Sequence, residues 1–193
     1  MVAYPADLCL DYDQLTAFVI ERLPRTPFVI LGESFSGPSA IEIAATQPHV
    51  AGLILASSFA HHPLPTWLAL FTSLLDLSWI PTRMISMVLI GSAAPSDLKL
   101  RLSDVLSAVP RDIIRARAND VLRVDRRSRL SQTRCPMLCL HGSRDWMVHP
   151  RYVAEFLALR PDCQLKWLDA PHMLLATHVN AAAAIDEFCS QLE

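Results

Sequence analysis

The residues most able to do chemistry lie in three short stretches. The first is Gly32-Glu33-Ser34-Phe35-Ser36-Gly37, a serine flanked by small residues. The second is His141-Gly142-Ser143-Arg144-Asp145, and the third is Asp169-Ala170-Pro171-His172. A serine hydroxyl is a weak nucleophile at neutral pH. It needs a base to take its proton, and that base needs an acid to orient it. Ser34, His172 and Asp145 are of the right types for those three parts.

Such groups work only if the fold brings them together, so the surrounding elements matter. Four apolar runs read as buried parallel strands: Phe28–Leu31, Leu53–Ala56, Met137–Leu140 and Gln164–Leu168. The first three are almost continuously apolar, as strands covered on both faces must be. Helical patterns lie between them. Leu15, Phe18, Val19 and Arg22 share a face behind a capping-box start at Asp11 and Gln14. Pro38 to Gln47 opens with proline in its first turn. Tyr152, Val153, Phe156 and Leu157 mark another helix, and Ala181 to Leu192 closes the chain. Strand alternating with helix predicts an α/β fold with a mainly parallel sheet flanked by helices. In that fold Ser34, Asp145 and His172 each follow the carboxyl end of a strand, where open α/β sheets form their sites.

The serine stretch fits a sharp strand-turn-helix elbow, which needs small residues two before and two after the serine. Gly32 and Ser36 meet that need, although the strict G-x-S-x-G pattern has glycine where Ser36 stands. Gly32-x-x-x-x-Gly37-Pro38-Ser39 also resembles a phosphate-binding loop, but proline replaces its lysine, which argues against a nucleotide. Ser36 and Ser39 rival Ser34 only if the turn is misplaced. Asp169 is a weaker orienting acid than Asp145, being too near His172 along the chain. His178 reads as helix-entry structure, His141 as a satisfied structural histidine, and His49, His61, His62 and His149 as surface. No H-x-x-x-H pair or carboxylate cluster has metal spacing, so no metal or cofactor is expected.

From Phe59 to Arg134 no strand is convincing. Trp67–Ser78, Met84–Ile90, Leu98–Val109 and Ile114–Leu122 all read as helical, with Pro81 as a break. The whole chain, residues 1–193, reads as one domain carrying a helical cap insertion over residues 59–134. So long a connection should have a function. Residues 111–134 hold eight arginines against three aspartates, which reads as a solvated helix face.

The chain has 193 residues, 52% hydrophobic and 19% charged, with a net charge of −2. That excludes a disordered chain and gives no general attraction to nucleic acid. The most apolar stretch, Trp67 to Ala94, is interrupted by Asp76, Pro81 and Arg83, so no membrane span is expected. No signal peptide is evident. The five cysteines, an odd number without a C-x-x-C pair, read as reduced thiols in a cytoplasmic protein.

The stretches FVILGESFSGPSA, LILAS, CPMLCLHGSRDWMV and APHMLLATH resemble, in order, the α/β-hydrolase superfamily, in particular its bacterial carboxylesterase and lipase-like members with a helical cap. The resemblance implies Ser34 as nucleophile, His172 as general base and acid, and Asp145 as the group holding His172. It also implies the Phe35 backbone N–H as one oxyanion donor. The family's His-Gly loop, which supplies a second donor, has no counterpart upstream of Ser34. The sequence therefore resembles an N-terminally short member lacking the first strands. Losing one such donor costs about 10²–10³ in rate. Phe28–Leu31 should then lie at a sheet edge, covered by Val2–Tyr4 or by a second copy in a homodimer.

The function this suggests is hydrolysis of a small-molecule carboxylic ester with a short to medium acyl chain, through an acyl-enzyme. The alternative is a non-catalytic hydrolase-fold module that binds a ligand or partner.

Overall fold

In the computed structural model, residues 1–62 and 82–192 are described. Four parallel strands, β1 (Phe28–Glu33), β2 (Val50–Ala56), β3 (Met137–Gly142) and β4 (Gln164–Leu168), form one sheet in the order β1-β2-β3-β4. The strand and helix pattern thus gives the predicted α/β architecture.

The sheet is covered on both faces, which explains why its strands look uniformly apolar. Alternate residues point to opposite sides. Leu53, Leu55, Met137 and Cys139 pack with Ala40 and Ile41 of α2 (Gly37–Thr46), Leu130 of α6 (Arg127–Gln132) and Val153 and Phe156 of α7 (Arg151–Leu159). Ile54, Ala56, Leu138 and Leu140 pack with Leu174 of α8 (Leu174–Thr177) and Ala181, Ala184 and Phe188 of α9 (Asn180–Ser190). Burying each such side chain stabilises the fold by about 1.5–3 kcal/mol before entropy is counted.

Helix α1 (Tyr12–Ile20) starts at Asp11 with the expected capping box to Gln14. Leu15 and Val19 are buried, while the Arg22 guanidinium lies 3.5 Å from the centre of the Phe18 ring. Among the described residues strand β1 is hydrogen-bonded only to β2, at the edge of the sheet. Val2–Tyr4 do not pair with it. They make no strand, and the Tyr4 ring instead meets the Phe35 ring edge-on, 5.9 Å between centres.

Between β2 and β3 the described residues form the helices α3 (Thr82–Ile90), α4 (Ser96–Ala108), α5 (Arg111–Val121) and α6, with one isolated antiparallel bridge between His61 and Asp125. The expected helix over Trp67–Ser78 and its break at Pro81 lie outside the described residues. In the arginine-rich stretch, several side chains are structural ties rather than a merely solvated face. Arg126 pairs with Asp13 and lies 3.6 Å from Glu42, Arg129 reaches Glu42 at 3.1 Å, and Arg117 donates to the Pro5 carbonyl at 2.7 Å. These contacts clamp α5 and α6 to α1, α2 and the N-terminal segment.

All five cysteines are free thiols. Cys139 and Cys163 are buried in the core, and burial pushes the Cys163 thiol up to about 11, so it stays protonated. Among the described residues no helix is long and apolar enough to cross a membrane.

Candidate active site

Strand β1 runs straight into a single 3₁₀ turn, Ser34–Ser36, and then into α2. Ser34 sits at φ +52°, in the left-handed region that a non-glycine residue avoids. Such a conformation costs on the order of 1–3 kcal/mol and survives only when its surroundings hold it. Three contacts do so here. Ser58 Oγ donates to the Ser34 carbonyl at 2.8 Å, and the Gly37 N–H also donates to it. The Tyr12 hydroxyl donates to the Phe35 carbonyl at 3.0 Å, while its ring stacks on Phe35 with 4.7 Å between centres.

The displaced glycine of the motif has a physical explanation. A Cβ on Gly37 would stand 1.7 Å from Ser58 Oγ, so the bare backbone is needed at 37. Ser36 is half-buried and is tolerated at the position where the strict pattern has glycine.

The loops after β3 and β4 are joined through their backbones. Ser143 N–H donates to the Leu168 carbonyl and Arg144 N–H to the Ala170 carbonyl, at 2.8 and 3.1 Å. Gly142 makes this approach possible, since a Cβ there would lie 2.5 Å from the Ala170 carbonyl oxygen. The result brings three distant side chains into line. His172 Nδ1 is 2.9 Å from Asp145 Oδ2, and His172 Nε2 is 2.7 Å from Ser34 Oγ. The His172 and Asp145 side chains are 2% and 0% exposed. Asp145 Oδ1 accepts from the N–H groups of Met147 and Val148 at 2.8 and 3.0 Å. Burial pushes the Asp145 carboxyl up, but the His172 hydrogen bond, the imidazole charge and the two N–H donors outweigh it and hold the group below the usual carboxylate range.

This chain of contacts can move a proton from a hydroxyl to an imidazole fixed by a buried carboxylate. Phe35 follows Ser34 in the first turn of the helical segment, where backbone N–H groups have no intrahelical acceptor.

The competing residues separate cleanly. Asp169 is exposed and pairs with Arg144 at 2.7 Å. His178 closes α8 and accepts from Asn180 N–H at 3.3 Å. Ser39 is buried in α2 and bonded to Thr16 Oγ1, away from the Ser34–His172 contact. Three histidine readings need correction. His62 is half-buried, its N–H donating to the Val124 carbonyl at 2.9 Å and its carbonyl accepting from the Tyr152 hydroxyl at 3.2 Å. His61 is not simply surface: it is half-buried and 2.9 Å from Glu155 Oε1, because its ring packs beside Tyr152. His141 is structural, as expected, but only partly satisfied. It is buried in β3 against Trp167 and hydrogen-bonded to the Val148 backbone, while its Nε2 has no partner among the described residues. Burial lowers its proton affinity.

Sequence reasoning missed Ser58 and Tyr12, which reach the Ser34 turn from elsewhere in the chain, and Glu33, which precedes Ser34 and reaches Leu175. Glu33 occupies the unrestricted position of its motif, and Ser58 belongs to no motif. Among the described residues no group of three or more His, Cys, Asp or Glu could hold a metal ion.

The family model described as serine aminopeptidase, S33, matches residues 2–176. The chain belongs to this α/β-hydrolase family. No curated protein matches it in sequence. Solved structures share its fold. A thermophilic esterase from Thermogutta terrifontis is 18% identical, with a TM-score of 0.78 over 100% of this chain and 75% of that one. A lipase-esterase related protein from Clostridium acetobutylicum is 14% identical, with a TM-score of 0.74 over 98% and 77%. An enol-lactonase from Burkholderia xenovorans is 17% identical, with a TM-score of 0.64 over 95% and 73%.

Proposed function

We propose that this α/β-hydrolase cleaves carboxylic esters of short to medium acyl chains by way of an acyl-enzyme. The observation that carries the reading is the continuous contact from Ser34 Oγ through His172 to the buried Asp145. Ser34 Oγ attacks the ester carbonyl while His172 Nε2 takes its proton. Asp145 holds the ring by Nδ1–H and stabilises the imidazolium that forms. The Phe35 N–H donates to the oxyanion of the tetrahedral intermediate. His172 then gives its proton to the leaving alcohol. Water, deprotonated by His172, attacks the acyl-Ser34 carbonyl, and the acid leaves as Ser34 recovers its proton.

The esterase and lactonase among its structural neighbours support an ester rather than another acyl substrate. We assign the connection over residues 59–134 as a cap on this site. The Met173 N–H, beside His172, donates to the Leu89 carbonyl of α3 at 2.8 Å, which couples that connection to the histidine loop.

Hydrolysis of p-nitrophenyl acetate, butyrate and octanoate by this chain and by Ser34→Ala tests the reading. The rate should be measurable in the first and fall to background in the second. Equal rates in both would sink it.

A further inference from the structure

Helix α3 ends at Gly91, whose N–H donates to the Met87 carbonyl at 3.0 Å. Its φ of +79°, natural to glycine, turns the chain back toward α4. The two helices are in contact, and an open cavity of about 820 Å³ lies along them. Cavities that hold small ligands measure about 300–1,000 Å³. The apolar part of the wall is Met84, Met87 and Leu100, each half or more exposed. Unbranched methionines adapt to chains of varied shape.

The charge around this cavity has one sign. Its lining holds Arg83 and Lys99 and no acidic residue. The acids of α4, Asp97 and Asp104, are seven residues apart and lie on a different face of the helix from Ser96, Lys99 and Ser103. Lys99 is half-buried, and its Nζ donates to the Ser92 carbonyl at 2.8 Å. That bond occupies one of the three ammonium donors and leaves two for a ligand. It also holds a long side chain in place, so that binding costs less side-chain freedom.

The Lys99 end of the cavity adjoins the histidine loop. A Cβ on Gly91 would stand 3.6 Å from Pro171 Cγ, an ordinary contact. The Leu89 carbonyl accepts from the Met173 N–H at 2.8 Å. The end of α3 therefore touches the residues on both sides of His172. Arg83 lies in the first turn of α3, about 12 Å from Gly91 along the helix. With its two cations set apart, the lining matches a single negative charge better than a phosphate dianion.

We propose that this cavity receives an ester whose chain carries a free carboxylate, with the chain on Met84, Met87 and Leu100 and the carboxylate on the Lys99 ammonium. As a substrate site it rests on the ester-hydrolase reading above; as a binding site it does not.

Mono-p-nitrophenyl octanedioate and p-nitrophenyl octanoate have chains of equal length and differ in a terminal carboxylate. In the unaltered protein the octanedioate ester should have a KM about three- to tenfold lower, between the worth of an exposed ion pair and that of a charged hydrogen bond. Lys99→Gln keeps a donor for the Ser92 carbonyl and removes the charge. In that variant the preference should disappear. Equal KM values for the two esters in the unaltered protein, or the same preference in Lys99→Gln, overturn the proposal. Neither result touches the hydrolase reading, which fails if the unaltered protein cleaves neither ester. In that case monomethyl octanedioate is titrated into the protein and followed by NMR at the Met84 and Met87 methyl groups. Shifts there that weaken in Lys99→Gln uphold the cavity as a site for a chain-bearing carboxylate, and their absence, or shifts unchanged by the variant, overturns it.

Discussion

The carboxyl edge of the sheet and the helices joining β2 to β3 are held by different means. At the edge, Ser34 and Ser57 both sit at positive φ, and hydrogen bonds from Ser58, Tyr12 and Gly37 fix the turn around Ser34. Behind them, Leu53, Leu55, Leu138 and Leu140 are fully buried. In α4 and α5, by contrast, one residue each is buried, Leu102 and Ile113. Met84, Met87, Leu100 and Val105 on α3 and α4 are half or more exposed. The difference teaches where precision is needed. Strained geometry at a reacting atom persists only if packing over-determines it, whereas a surface that selects among apolar groups needs only area.

Removing the orienting carboxylate should break the edge most severely. On the proposed ester-hydrolase reading, Asp145→Asn leaves the shape but lets His172 take the wrong tautomer, and kcat should fall on the order of 10⁴-fold. The same variant has a pH signature. Because the folded state holds the Asp145 carboxyl low, the stability it contributes is fully present above the ordinary aspartate range, near pH 3.9, and is lost as pH falls through the folded value. Chemical denaturation from pH 7 to pH 3 should therefore show a shallower acid decline in Asp145→Asn. An unchanged slope would mean that the carboxylate is not paired in solution.

A smaller effect comes from the close approach under the turn. Gly37→Ala forces Ser58 aside and should cost about 1–3 kcal/mol as overpacking, read as a lower denaturation midpoint. Because both residues meet at one point, the cost should shrink in a Ser58→Gly background. Equal costs in both backgrounds would show that the contact at 1.7 Å is not what excludes a side chain. Ser58→Ala alone loses one of two donors to the Ser34 carbonyl and should cost about 1 kcal/mol. Its rate should fall a few-fold through loss of the turn geometry.

The same contrast marks what the sequence reveals. The four strands, the elbow after β1 and the loops after β3 and β4 are readable because hydrophobic pattern and turn residues are local signals. The order Ser34, Asp145, His172 is readable because an α/β sheet gathers its strand ends along one edge. Ser58, Tyr12 and Glu33 are not readable, since each acts through a contact more than 20 residues away in sequence and carries no motif. Val2–Tyr4 misleads for a related reason. A short apolar segment is compatible with an edge strand, but the ring of Phe35 offers Tyr4 a better partner. One position of the α4 pattern misleads too: Val105 shares the helical period with Leu102 yet is exposed. Periodicity marks a face without saying whether anything covers it.

That last point leads to the smallest predicted effect. Met87 on α3 and Leu100 on α4 line an open cavity of about 820 Å³ together with Met84, Arg83 and Lys99. Neither buries enough surface for its loss to matter to folding, so Met87→Ser and Leu100→Ser should change stability by about 0.5 kcal/mol or less. If the connection covers the Ser34 site as proposed, a bound acyl chain still gains by contact with such side chains, at about 25 cal/mol per Å² of apolar area removed from water. The two variants should then raise KM for p-nitrophenyl octanoate a few-fold, with kcat and the acetate reaction little changed, since uniform binding alters KM alone. Equal effects on acetate and octanoate would place the acyl group elsewhere, and would leave these exposed side chains as a surface apart from the chemistry at the sheet edge.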